Sequence, residues 1–143
     1  MPVAIRINVE SFKEQLKANL EQLQKATRPA AQAGVQIIYD RARLVVEDSD
    51  RTHMFHIRGQ VYGPYAPGNL RRAIYQVFSE EKSFKDVSTY QVSWNKDKAP
   101  YGHMVETGTS TAPAYSFIGR AVIETRKEVR AAIKARFIQE ASK

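Results

Sequence analysis

The sequence predicts an α+β domain in which N-terminal helices and a long C-terminal helix pack on a small, mostly antiparallel β-sheet. Near its start, Phe12, Leu16, Leu20 and Leu23 recur at three- and four-residue spacing, the period of an amphipathic helix. Near its end the same period runs through Ile118, Ala121, Val122, Val129, Ile133 and Phe137 with no interior proline. Between them, Ala73 to Phe78 and Thr89 to Trp94 carry β-branched and aromatic residues in near alternation. Helices, then strands, then a helix is an α+β order. The 143 residues fit one domain, 1–143, which at this size buries about 68% of the surface of its unfolded chain.

The elements follow in order. Val3, Ile5, Ile7 and Val9 alternate with Ala4, Arg6 and Asn8, a period-two pattern that predicts a short strand. Ser11-Phe12-Lys13-Glu14 has the form of a capping box, which predicts the start of a first helix. Thr27-Arg28-Pro29 predicts a break, because proline disfavours helical geometry in the residue before it. A second helix then runs through Ala30, Ala33, Gly34, Ile37, Ile38, Ala42 and Val45, ending at Asp48-Ser49-Asp50. Residues 49–66 read as a long loop with some strand near Met54-Phe55-His56-Ile57, given Gly59, Gly63 and Pro64. Strands are expected at 73–78 and 89–94, with a further strand at Gly102 to Glu106. Thr107-Gly108-Thr109-Ser110-Thr111 is small and polar and reads as an exposed loop.

Composition narrows function. With no cysteine, no disulfide, thiolate metal site or cysteine nucleophile is available, which is consistent with a reducing cytoplasm. The first residues lack the apolar run of a signal peptide, and nowhere do about 18 uncharged apolar residues follow one another. A soluble protein made in the cytosol, away from membranes, is expected. The formal charge of +7 falls entirely beyond residue 50, because residues 1–50 hold seven Lys/Arg and seven Asp/Glu. An excess of this kind suits nucleic acid or an acidic protein surface equally.

The catalytic inventory is thin. His53 and His56 lie in a segment read as extended, where their spacing splits the rings across faces, and no cysteine completes a zinc set. His103 with Glu106 lacks a third, orienting group. No phosphate-binding Gly-rich run with a following Lys-Ser/Thr occurs. The expectation is a protein without catalytic, metal or cofactor residues. Arg126, Arg130 and Lys134 form a like-charged stripe at four-residue intervals, softened by Glu124 and Glu128. It reads either as a solvated face or as a contact for phosphate or an acidic subunit, and Arg71 and Arg72 carry the same two readings. Tyr62, Tyr65, Tyr90, Trp94 and Tyr101 are read as packing aromatics before base-stacking ones.

Two runs carry a family resemblance. Pro67-Gly68-Asn69-Leu70-Arg71-Arg72-Ala73-Ile74 is followed, after a hairpin, by Ala99-Pro100-Tyr101 with Val105-Glu106-Thr107-Gly108-Thr109, and then by Pro113-Ala114-Tyr115-Ser116-Phe117 before a helix. This succession resembles the tail-component proteins of long-tailed, lambda-like bacteriophages, also called tail-completion or head–tail joining proteins. The likeness runs from the second expected helix onward and is strongest at 67–78 and 92–121. It departs where many members read Val-Asp-Thr-Gly and this chain has Tyr65-Ala66-Pro67-Gly68, and where Ser116 and Gly119 replace prolines. The resemblance implies a non-enzymatic structural protein of a phage or prophage virion, made in the host cytoplasm and placed in the neck or tail. It would complete the tail and join it to the head. Its partners would be a tail terminator or tail tube, head-completion proteins and further copies of itself in a ring, with DNA met only as it passes through the channel and the isolated chain able to remain monomeric. Arg71, Arg72, Glu106, Thr107, Gly108, Thr109, Arg126, Arg130 and Lys134 are the expected interface residues, with Glu106 facing an arginine of a neighbour. The rival expectation, from charge, is a free-standing nucleic-acid-binding module that uses the basic C-terminal helix.

Overall fold

The computed structural model describes residues 4–6 and 9–143. Its elements are α1 (Val9–Val45), β1 (His53–Ile57), β2 (Gln60–Tyr65), α2 (Asn69–Ala73), β3 (Ile74–Phe78), β4 (Tyr90–Trp94), α3 (Gly102–Thr107) and α4 (Phe117–Ala141). The class is α+β, with two long helices packed on two small antiparallel sheets. No described helix is long and apolar enough to cross a membrane.

The first strand and the two N-terminal helices are corrected. Of the alternating run at 3–9, residues 3, 7 and 8 lie outside the described residues, 4–6 are irregular and exposed, and Val9 already opens α1. The helix therefore starts two residues before the Ser11 box, and it continues through Pro29 for 37 residues. A proline within a helix removes one backbone bond and costs about 3 kcal/mol in isolation. Tertiary packing overrides that cost here. Ala26 and Ala30, on either side of the proline, are buried. Gln24 Nε2 donates to Asp86 Oδ1 at 2.6 Å, the Thr27 and Ser88 hydroxyls meet at 2.8 Å, and the Arg28 guanidinium lies 3.9 Å from the Phe78 ring centroid.

α4 runs antiparallel to α1, as cross-links at both ends require: Arg41 pairs with Glu124 at 2.7 Å, and Gln22 Nε2 donates to the Glu140 carbonyl at 2.7 Å. The helices touch closely at Gly34, where an added Cβ would stand 2.6 Å from Ile133 Cγ1. Beyond that seam the core gathers Ala42, Val46, Leu70, Ala73, Ile74, Ala99, Tyr101, Phe117 and Ala121. Leu70 and Ile74 bring α2 and β3 into this core, and Phe117 brings the start of α4.

β3 and β4 pair from Ile74↔Trp94 to Phe78↔Tyr90, in the segments that alternation marked. The stretch at 49–66 is more ordered than a loop. β1 and β2 form a hairpin whose turn residues Arg58 and Gly59 have φ of 51° and 79°, the positive angles that a tight two-residue turn needs. The expected strand at Gly102 to Glu106 is corrected to helix α3. A short apolar run does not separate strand from helix by pattern alone, and Gly102 packs where an added Cβ would overlap the Trp94 indole.

Candidate functional site

The residues of the two signature runs meet at one end of the molecule, where α1 finishes and α4 begins. A helix leaves its last carbonyls and first amides without partners, and these runs supply the partners. Arg71, on α2, donates from Nε to the Arg43 carbonyl at 2.7 Å, from one terminal nitrogen to the Val46 carbonyl at 2.8 Å, and from the other to Asp48 Oδ2 at 2.6 Å. Tyr115 donates its hydroxyl to the Val45 carbonyl at 2.7 Å. A guanidinium at a helix C-terminus also complements the helix dipole.

Glu106 performs the opposite task. Its carboxylate accepts from the backbone N–H of Ile118 at 2.9 Å and of Gly119 at 3.0 Å, and from the Ser116 hydroxyl at 2.8 Å. A carboxylate on the first amides of α4 satisfies orphan donors and sits at the positive end of the dipole. Glu106 and Arg71 are thus both engaged within the chain, at opposite helix termini, with no bond between them. Arg72, their neighbour in the signature, is exposed, and one terminal nitrogen reaches the Pro67 carbonyl at 3.4 Å.

The Gly-Thr loop leaves α3 beside this end. Gly108 has φ of 82°, and an added Cβ would stand 2.7 Å from the Ala114 nitrogen, so both angle and space require glycine. Thr107 turns its hydroxyl back to the His103 carbonyl at 2.6 Å, and Thr109 closes the loop through Ala112, with its backbone N–H on the Ala112 carbonyl at 2.9 Å. Residues 109–114 are exposed. The loop is therefore a fixed, solvent-facing turn.

Arg126, Arg130 and Lys134 lie apart from this end, along the exposed face of α4. Among the described residues none of the three has a hydrogen-bond or ion-pair partner, whereas Glu124, expected to offset them, pairs with Arg41. His103 holds its ring nitrogen on the Pro100 carbonyl at 3.1 Å while Glu106 faces α4, so no bond joins that pair. No group of three or more metal-ligating side chains occurs among the described residues.

A cleft that sequence reasoning missed opens between the β1–β2 hairpin and α1's end. It has a volume of about 370 Å³ and is walled by Phe55, Tyr65 and Tyr101, with His53 and Asp48 at its edge. Phe55 and Tyr101 stack with centroids 4.3 Å apart and planes 5° from parallel. Burial pushes the Tyr101 phenol above its ordinary value, with partial relief from the Asn69 amide that donates to it at 3.0 Å. The only sequence signal was the aromatic content of residues 55–65, since their pairing with Tyr101 depends on the hairpin.

No family model matches the chain, and neither does any curated protein or solved structure.

Proposed function

We propose that this chain is a non-enzymatic structural protein of a phage neck or tail, which completes the tail and joins it to the head through contacts between subunits. The observation that carries the reading is the ordered signature from Gly68 to Phe117. Its support from geometry is that the polar members have structural work: Arg71 and Tyr115 hold the end of α1, Glu106 holds the start of α4, and Gly108 shapes an exposed loop. Such staples give a rigid body that presents fixed surfaces to partners. The Thr107 to Thr109 loop, Arg72 and the α4 stripe are the surfaces offered to neck and tail proteins and to further copies, and the virion is where the protein resides.

The test is deletion of the gene from the phage or prophage that carries it, followed by electron microscopy of the lysate. Separate heads and tails, rejoined by supplying the wild-type chain in trans, is the expected result. Intact virions without the gene would overturn the reading.

One observation favours a second reading, a nucleic-acid-binding module: Arg126, Arg130 and Lys134 are exposed along α4 with no hydrogen-bond or ion-pair partner among the described residues. Three neutralised phosphates would give a slope of log affinity on log salt of about −2.7. Duplex binding by the monomer with such a slope, lost when all three residues become glutamine, would select this reading.

A further inference from the structure

α4 ends alongside Gln22, so among the described residues no helix lies beside the first turns of α1. That arm nevertheless carries a continuous apolar stripe. Val9, Phe12, Leu16, Leu20 and Leu23 are each between 43% and 58% exposed. Around the rest of the arm Glu10, Glu14 and Glu21 balance Lys13, Lys17 and Lys25. A balanced polar face does not suit phosphate, and helices that lie on lipid carry a face rich in Lys and Arg. The stripe suits a neutral, apolar protein surface.

The same chain offers one. A groove of about 270 Å³ has Ala31, Gly34, Val35 and Ile38 of α1 as its floor, Val129 and Ile133 of α4 on one side, and the chain leading into β4 on the other. Leu16, Leu20, Leu23, Thr27, Ala31, Gly34 and Ile38 follow one another at three- and four-residue spacing. Arm and groove floor therefore lie on one face of one helix.

We infer that the α1 arm is a self-association element, seated in the α1–α4–β4 groove of a second copy of this chain and receiving that copy's arm in return. This deepens, and rests on, the reading that the chain works through contacts between subunits. An arm and its groove on one face pair reciprocally about a two-fold axis when the helices run antiparallel. With the axis between Leu23 and Gln24, Leu20 comes opposite Thr27, Leu16 opposite Ala31, Phe12 opposite Val35 and Val9 opposite Ile38. Leu20, Leu16 and Phe12 of the arm each meet a smaller side chain, and Ala31, Val35 and Ile38 all line the groove. Phe84 and Val87, 73% and 48% exposed on the loop that Gln24 and Thr27 tie to α1, widen the contact near the axis. Reciprocal seating counts each contact twice, which brings an arm about 22 Å long toward the ~800 Å² per partner of a standard stable interface.

Sedimentation equilibrium of the full chain across a range of concentrations tests the inference. Two variants are compared with wild type, Leu16→Glu combined with Leu20→Glu in the arm, and Ile133→Glu at the groove wall, where the side chain is already 38% exposed. Circular dichroism and urea melts establish that both fold. A dimeric wild type is expected, with dimerisation weakened on the order of a hundredfold in each variant. An equimolar mixture of the two variants should recover a heterodimer, because it restores one wild-type arm on one wild-type groove. A wild type that stays monomeric, variants that dimerise like wild type, an arm variant alone affected, or a mixture that stays monomeric would each overturn the proposal. A monomeric wild type that is still needed for joined virions would sink the arm while sparing the functional reading; intact virions from the deletion would sink that reading whatever the oligomeric state.

Discussion

At the scale of single residues, the signature side chains act on helix ends far away in sequence. Glu106 accepts three hydrogen bonds at the start of α4, so Glu106→Ala leaves two amide donors without their acceptor. A loss of about 1–3 kcal/mol is expected, read as a lower urea midpoint with an unchanged slope, and Glu106→Gln should recover part of it. Stability within about 0.5 kcal/mol of wild type would show that solvent satisfies those amides equally well. Tyr101 gives a prediction in pH. Its phenol is raised above 10.0 by burial, so the folded chain holds the proton more tightly than the unfolded one. The contribution is present below the ordinary tyrosine value and is lost as pH rises through the folded one. Unfolding free energy should therefore fall more steeply above pH ~10 in wild type than in Tyr101→Phe, and parallel curves would assign the fall to other groups. The sequence singled out Arg71 and Glu106 as contacts to a neighbouring subunit, but their partners lie within the chain: Arg71 holds two carbonyls and Asp48 at the end of α1, and Glu106 holds two amides and the Ser116 hydroxyl at the start of α4, groups that only the fold brings close.

At the scale of elements, what was legible was whatever reports its own faces. β3, β4 and α4 stand where period-two and helical patterns placed them, because each buries one face against the core. Pro29 was misread because a local rule competed with packing that the local sequence does not contain. The consequence is measurable: Pro29→Ala restores a backbone donor within α1 and should stabilise the chain, by up to about 3 kcal/mol, as a rise in melting temperature. An unchanged or lower temperature would mean that the helix has adapted its path to the proline and that its neighbours depend on that path. α3 was misread for a different reason. Met104 and Val105 are half-buried, as strand residues would be, and only the fit of Gly102 against Trp94 separates the two geometries. The hairpin at 53–65 was partly legible through Gly59, whereas the aromatic cleft needed the hairpin folded against Tyr101.

At the scale of the whole molecule, the long helix is held unevenly, and this gives a prediction that needs no substitution. α1 has 37 residues against 25 in α4, about 56 Å against about 38 Å of helix. Its second half is clamped by α4, by the β3–β4 sheet and by the Arg71 and Tyr115 caps. Its first turns, before Gln22, have no such cover among the described residues, and a free helix shorter than about 12–15 residues is marginal in water. An amphipathic stripe looks the same in sequence whether covered or bare, so the period of Phe12, Leu16 and Leu20 marks a helix without showing that these residues are half exposed. Hydrogen exchange followed by mass spectrometry on the wild-type chain should therefore show two classes of amide within one helix. Peptides from 26–45 should exchange through global unfolding, and peptides from 9–20 through local opening. The first class should be indifferent to protein concentration, while the second becomes protected as concentration rises and the arm finds its seat. Uniform protection along α1 at high dilution would show that the arm is stable alone, and an arm that exchanges quickly at every concentration would show that a second copy is not what covers it.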